Sequence, residues 1–129
     1  MKTNLEICID SCNGVEACVE GGADRIELCS SLHHGGLTPS YEVLKLASGS
    51  GLPLRAMIRP KKGGFVYSSE DLKKMLDDID MVRSFKIEGI VFGATLSKGG
   101  LNEDFLEQLV SHAFGLENCL LYTSDAADE

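Results

Sequence analysis

The amino-acid sequence predicts an α/β fold: the N-terminal half of a (β/α)8 TIM-type barrel, built from four parallel βα units. Strand-like and helical segments alternate four times, which is typical of a parallel sheet joined by right-handed crossovers. Three strands carry charged or sulfur-containing side chains along one whole face. A small open doubly wound sheet would bury both faces under helices, so these polar faces favour a barrel, whose interior can hold such groups near its mouth.

The length and composition of the chain limit its size and its partners. Its 129 residues are about half of a typical barrel of roughly 250 residues. A net charge of −8 argues against nucleic acid and against an anionic membrane surface as partners. Because the sequence has no apolar run of about 18 residues and no secretory signal pattern, we expect a cytoplasmic protein whose cysteines are reduced.

The first three strands are predicted at 4–10, 25–29 and 54–59. In each of them apolar residues alternate with polar or sulfur-containing residues, as expected of a strand whose two faces meet different surroundings. The polar faces consist of Glu6, Cys8 and Asp10 in the first strand, Arg25, Glu27 and Cys29 in the second, and Arg55, Met57 and Arg59 in the third.

The helices and the fourth strand are also predicted from short local patterns in the sequence. Ser11, Ser40 and Asn102 are suitable N-caps for three amphipathic helices. The longest helix is predicted to open at Ser69 and to run to about residue 85, with apolar residues three and four positions apart. An unbroken apolar run in the fourth strand, predicted at 88–93, is typical of a parallel strand covered on both faces.

The nine polar-face residues include three acids and three arginines, whose charges balance to zero. Charges turned toward a confined interior must be paired, because an unpaired buried charge is costly. The set therefore predicts either an ionic lattice that only stabilises the barrel or a site for a small polar ligand. The ligand-binding residues would be Glu6, Arg25, Glu27 and Arg59, with Glu27 or Asp10 as the candidate catalytic acid or base.

Three sulfur atoms fall on the same predicted faces. Cys8, Cys29 and Met57 lie on neighbouring strands about 4.8 Å apart, and soft sulfur donors suit Cu(I). The alternative is that buried cysteine and methionine only fill the core.

The loops after the second and third strands offer further candidates. His33 and His34 could bind a metal or carry protons, or could be ordinary solvent-exposed residues. Arg59, Lys61 and Lys62 could hold a carboxylate or phosphate, and a solvated loop is the alternative.

Five segments occur in order between about Leu5 and Gly115. They are Glu6-Ile7-Cys8-Ile9-Asp10-Ser11, Gly21-Gly22-Ala23-Asp24-Arg25-Ile26-Glu27-Leu28-Cys29-Ser30, Gly35-Gly36-Leu37-Thr38-Pro39-Ser40, Met57-Ile58-Arg59-Pro60 and Val91-Phe92-Gly93. Together they closely resemble the CutC family of copper homeostasis proteins. The resemblance implies a (β/α)8-type barrel, a cytoplasmic location and a role in binding monovalent copper, and it implies no particular reaction.

The chain departs from the pattern of the family in two places. Where the family usually has Arg-Gly-Gly-Asp-Phe, this chain has Lys61-Lys62-Gly63-Gly64-Phe65, so the acidic group is missing at Gly64. The family's fifth strand, with its His-Arg-Ala-Phe-Asp segment, is not found. We therefore expect residues 1–117 to be a truncated CutC-like barrel domain and residues 118–129, with Cys119, to be a non-family tail that is disordered or artefactual.

Three hypotheses about function stay open. The first is a cytoplasmic copper-binding protein of the CutC type, which holds Cu(I) by cysteine sulfur and for which the resemblance implies no reaction. The second is a TIM-barrel enzyme of unknown reaction that acts on a small anionic metabolite. The third is a non-functional fragment, whose unpaired sheet edges would favour poor solubility or a homo-oligomer.

Overall fold

A computed structural model describes residues 3–121 as a single parallel sheet with helices on one face. The strands are β1 (Glu6–Ile9), β2 (Arg25–Leu28), β3 (Leu54–Met57), β4 (Gly89–Phe92) and β5 (Glu117–Leu120). The helices are α1 (Cys12–Gly21), α2 (Tyr41–Ser48), α3 (Ser69–Arg83) and α4 (Glu103–His112), with a short 3-10 turn at Leu32–His34. Each strand pairs in parallel with the next one in sequence. A doubly wound sheet reverses its strand order, so this order confirms the prediction of a partial barrel.

The helices begin where the sequence predicts them. The side chains of Ser11, Ser40 and Asn102 each accept a hydrogen bond from a backbone N–H in the first helical turn. Helix α3 begins at Ser69, and its N-cap is Ser68, which exchanges two hydrogen bonds with Asp71 in a capping box. Within residues 3–121, no helix has both the length and the apolar character needed to cross a membrane.

The apolar face of the sheet packs on the helices and forms the core. Six of its side chains are at most 1% exposed, namely Ile26, Leu28, Leu54, Ala56, Ile58 and Ile90. They share one cluster with helical side chains that are also fully buried, including Leu44, Met75, Ile79, Val82 and Leu109. The alternation of the first three strands therefore predicts correctly which side chains meet the helices.

The opposite face of the sheet, which we call the open face, carries the polar residues of β1, β2 and β3. Register places Cys8 opposite Glu27, and Glu27 opposite Arg55. Farther along the strands, Met57 lies opposite Val91. The buried part of this face forms a small cluster separate from the helix-packed core.

The fifth strand was not predicted. It pairs with β4 in parallel, although the sequence analysis expected four βα units and a tail from residue 118. Gly89 and Gly93 allow the pairing, because an added Cβ would lie 2.8 Å from the Glu117 carbonyl oxygen and 1.9 Å from that of Leu121. All four residues of β5 are exposed, so backbone pairing rather than burial forms this strand, and it has no hydrophobic signature. Residues 122–129 of the predicted tail lie outside the described residues.

Candidate metal and ligand site

Two thiols from neighbouring strands meet on the open face. Cys8 lies in β1, Cys29 directly follows β2, and their Sγ atoms are 3.7 Å apart. Cys8 is exposed, whereas Cys29 is fully buried, with its thiol 3.6 Å from the carbonyl oxygen of Ile9. The alternation of side chains along each strand therefore brings the two predicted sulfur ligands together.

Met57 completes a sulfur cluster of Cys8, Cys29 and Met57. Its side chain is 4% exposed and packs with Cys29 and Val91. Gly36, in the loop after β2, lies against both: an added Cβ would be 3.4 Å from Cys29 Sγ and 3.4 Å from Met57 Cε. Its φ of 94° also favours glycine, so this residue lets the loop pack directly on the sulfur atoms.

The two thiols differ in how readily they ionise. The Cys29 thiol stabilises the thiolate of Cys8 by hydrogen bonding, which lowers the pKa of Cys8 below its ordinary value despite burial and nearby carboxylates. The same hydrogen bond favours the protonated form of Cys29, and with burial it raises the pKa of Cys29 far above its ordinary value. Cys8 is therefore the thiol that ionises first.

The donor set suits a soft monovalent ion. With metal–thiolate bonds of about 2.3 Å, the value for zinc, two sulfur atoms on one ion can be up to roughly 4.6 Å apart, so a separation of 3.7 Å is compatible. Within residues 3–121, no group of three or more His, Cys, Asp and Glu side chains is placed to hold a metal ion. Two thiols and a thioether match the preference of Cu(I) for soft ligands.

The charged residues of the open face pair differently from the predicted lattice. Glu6 and Arg25 form an ion pair across β1 and β2, as their register requires. Arg55 instead binds Glu117 at 2.6 Å and Glu88 at 3.5 Å, and neither acid belongs to the predicted set. Of the six charges in the predicted lattice, only Glu6 and Arg25 pair with each other within the described residues, so the six do not form one lattice.

The two candidate acid–base residues have different surroundings. Glu27 is half-buried and forms no ion pair within residues 3–121. Burial raises the pKa of Glu27, and the charge of Glu6 raises it further. Asp10 is exposed and accepts a hydrogen bond from the Leu32 N–H at 3.1 Å. Glu27 thus has surroundings typical of a proton-transfer group, and both catalytic roles stay predictions.

Arg59 lies beyond β3 and is 7% exposed. Its Nη1 donates to the carbonyl oxygens of His34 at 2.8 Å and Gly36 at 3.1 Å, and its Nη2 donates to that of Gly63 at 2.5 Å. Its guanidinium also lies over the ring of Phe65, 5.2 Å from the centroid. Arg59 therefore joins the loops after β2 and β3, a structural role that the sequence analysis did not foresee.

The other loop candidates are spread apart. His33 and His34 are exposed on the 3-10 turn, and Lys61 binds Asp71 at 2.7 Å instead of joining Arg59. His34 nevertheless lines a cavity of about 640 Å³ at the carboxyl ends of the strands, with Arg59 and Lys98.

The loop after β4, which supplies Lys98 to this cavity, was not predicted to be part of a site. A signal for it was available. Lys-Gly-Gly occurs at residues 62–64 and again at residues 98–100, each time in a loop that follows a strand.

The chain is similar in sequence to known proteins. The model of the CutC family matches residues 3–128. The family protein CutC of Rhizobium meliloti is 47% identical over 115 residues, which cover 89% of this chain and 47% of that protein. The protein of the same name in Agrobacterium fabrum is 44% identical over 125 residues, covering 97% and 50%. The chain spans about half the length of the curated relatives it matches.

The fold is also found in solved structures. The CutC protein of Streptococcus agalactiae, described as a candidate copper homeostasis protein, matches with a TM-score of 0.83 and 28% identity, over 98% of this chain and 65% of that one. The O-GlcNAc hydrolase of Thermobaculum terrenum matches with a TM-score of 0.56 and 14% identity, over 93% of this chain and 34% of that one, and is similar in fold alone.

Proposed function

The chain belongs to the CutC family, and from that premise we propose that it is a cytoplasmic copper homeostasis protein that binds Cu(I) through the sulfur atoms of Cys8 and Cys29. The description of the Streptococcus agalactiae relative supports the connection with copper. The donor chemistry of the sulfur cluster supports the oxidation state, since thiolate and thioether ligands select Cu(I) over harder ions.

The single observation that carries this proposal is the 3.7 Å separation of the two Sγ atoms. Two cysteines 21 residues apart in sequence, one in β1 and one directly after β2, meet on the face that also carries Glu6, Arg25, Glu27 and Arg55. Core packing alone does not explain the pair, because Cys8 is exposed and adds little buried apolar surface.

The cluster would let copper both enter and be held. Cys8 offers an accessible thiol with a lowered pKa, which favours the first bond to the ion. Cys29, buried beside it, would supply the second bond, and the Met57 thioether lies against Cys29 as a weaker third donor. The covered positions of Cys29 and Met57 would slow the loss of the ion to water.

The proposed partner is therefore a metal ion. The net charge of −8 continues to argue against nucleic acid. The expectation of a homo-oligomer stays a prediction.

A Cu(I) titration against a competing chelator tests the proposal. We expect one ion per chain, with affinity reduced at least about a hundredfold in the Cys8→Ser, Cys29→Ser double variant, since both thiolate bonds are lost. Met57→Leu should cause a smaller loss. Cys12→Ser is the matched control, because Cys12 packs against the helix-side core. Full-strength binding by the double variant, with a normal circular dichroism spectrum, would show that copper is not held at these thiols.

A further inference from the structure

The loops that follow β2, β3 and β4 share a sequence pattern and a location. Each contains a basic residue followed by two glycines: His34-Gly35-Gly36, Lys62-Gly63-Gly64 and Lys98-Gly99-Gly100. All three loops line the cavity of about 640 Å³ at the carboxyl ends of the strands. Pockets of ligand-binding proteins have volumes in this range, and in barrels they lie at this end of the sheet.

A buried positive charge without a counter-ion lies in the wall of this cavity. Arg59 forms no ion pair within residues 3–121, whereas Arg25 and Arg55 on the same sheet both bind carboxylates. Its three hydrogen bonds go to neutral carbonyl oxygens, and its Nε is buried without any partner in the described residues. Carbonyl dipoles compensate a guanidinium only in part, so an anion in the cavity would stabilise this arrangement.

The other residues that line the cavity also favour an anion. Among the described residues that line the cavity, none is Asp or Glu, and Lys98 and His34 add further positive or protonatable groups. Within the described residues, the backbone N–H groups of Gly64 and Gly100 donate to no backbone carbonyl, so both can donate a hydrogen bond to a ligand oxygen. Arginine, lysine and free backbone amides are the groups that proteins use to bind phosphate and carboxylate.

We propose that this cavity binds a small organic oxyanion by its phosphate or carboxylate group, with Lys98 and the glycine amides as direct contacts and Arg59 as the buried positive charge. Phe65, Val66 and Leu96 form an apolar wall for the organic part of the ligand. Leu121 lines the cavity and packs against the cluster of Cys29 and Met57, so the anion site adjoins the sulfur cluster without sharing its donors.

Calorimetric titration of the full chain with inorganic phosphate, and separately with acetate, at fixed ionic strength tests this site. We expect saturable binding of at least one anion, weakened about fivefold or more by Lys98→Ala, which removes a direct charged contact. Lys86→Ala is the matched control: Lys86 is also exposed, but it precedes β4 and lies at the opposite end of the sheet. The Lys86→Ala variant should bind the anions as tightly as the wild type does.

Each result of these titrations either supports or overturns the anion site. Binding of phosphate alone, or of acetate alone, supports the site and identifies the group it recognises. Absence of saturable binding for both anions overturns the proposal, as does equal weakening by Lys98→Ala and Lys86→Ala. The Cys8→Ser, Cys29→Ser variant should bind the anion normally and Lys98→Ala should bind Cu(I) normally, so failure of the anion site is distinguishable from failure of the copper proposal.

Discussion

Along β2, Ile26 and Leu28 are completely buried under the helices, whereas Arg25 and Glu27 are half-buried on the open face. The two sets alternate residue by residue within one four-residue strand. Side chains on the helix side contribute by removing apolar area from water, about 1.5–3 kcal/mol for each large residue. Side chains on the open side contribute instead through specific partners, as in the ion pair of Glu6 and Arg25.

The helix-packed face therefore stabilises the fold, and the open face is available for chemistry. A strand with one face committed to the core is held in a fixed register, because a slip by one residue would expose every apolar side chain. Because the register is fixed in this way, the side chains of the opposite face are held in place and need not stabilise the fold themselves. Cys8, Cys29 and Met57 can then be selected for what they bind, and substitutions on the two faces should have different consequences.

The largest difference is expected in stability. Leu28→Ala should lower the free energy of unfolding by about 2–5 kcal/mol, because it leaves a cavity in a fully buried site. Glu27→Gln, one residue away on the open face, should change it by less than about 1 kcal/mol in either direction. Urea denaturation followed by circular dichroism measures both.

A milder variant covers the case in which Leu28→Ala does not fold. Ile26→Val should cost about 0.5–1.5 kcal/mol at the same face. Equal losses for Leu28→Ala and Glu27→Gln would mean that the two faces do not differ as their burial indicates.

The sequence was sufficient for the features that depend on local alternation. Period-two patterns placed the first three strands, assigned their faces and brought Cys8 and Cys29 to the same side. Cap residues such as Ser40 and Asn102 located the helix starts.

The remaining features depend on register between distant segments, which no single segment encodes. Arg55 binds Glu88 and Glu117, which lie 33 and 62 residues away. Arg59 binds backbone carbonyls, which are present at every residue and leave no trace in the sequence. Strand β5 forms by pairing with the edge of β4 and lacks the apolar pattern by which the other strands were found.

The second largest difference is expected in the reactivity of the thiols, between Cys8 on the open face and Cys18 in the helix-side core. At pH 7, iodoacetamide should modify Cys8 at least about tenfold faster than Cys18, because Cys8 is exposed with a lowered pKa. Cys18 is buried in α1, and burial raises its pKa. Peptide mapping by mass spectrometry after timed quenching, in the presence of a phosphine reductant, measures the two rates.

The pH dependence of this reaction reports the hydrogen bond between the thiols. The rate at Cys8 rises with pH as the thiolate forms, and a lowered pKa shifts that rise to lower pH. Cys29→Ala removes the donor, so the curve for Cys8 should move to higher pH and the rate at pH 7 should fall. An unchanged curve would indicate that Cys29 does not stabilise the Cys8 thiolate.

The smallest effect is expected at the edge of the open face, where Glu117 joins β5 to Arg55. Glu117→Gln should cost about 1 kcal/mol or less, because the Glu117 side chain is 59% exposed and Arg55 keeps Glu88 as a second partner. The loss should shrink between about 0.05 and 1 M NaCl, since salt screens exposed charges, whereas the loss from Leu28→Ala should persist. Urea denaturation at both salt concentrations tests this. A loss above about 2 kcal/mol, or one that salt does not reduce, would mean that the open face contributes to stability through desolvated ion pairs, and the contrast between the two faces would then be one of degree.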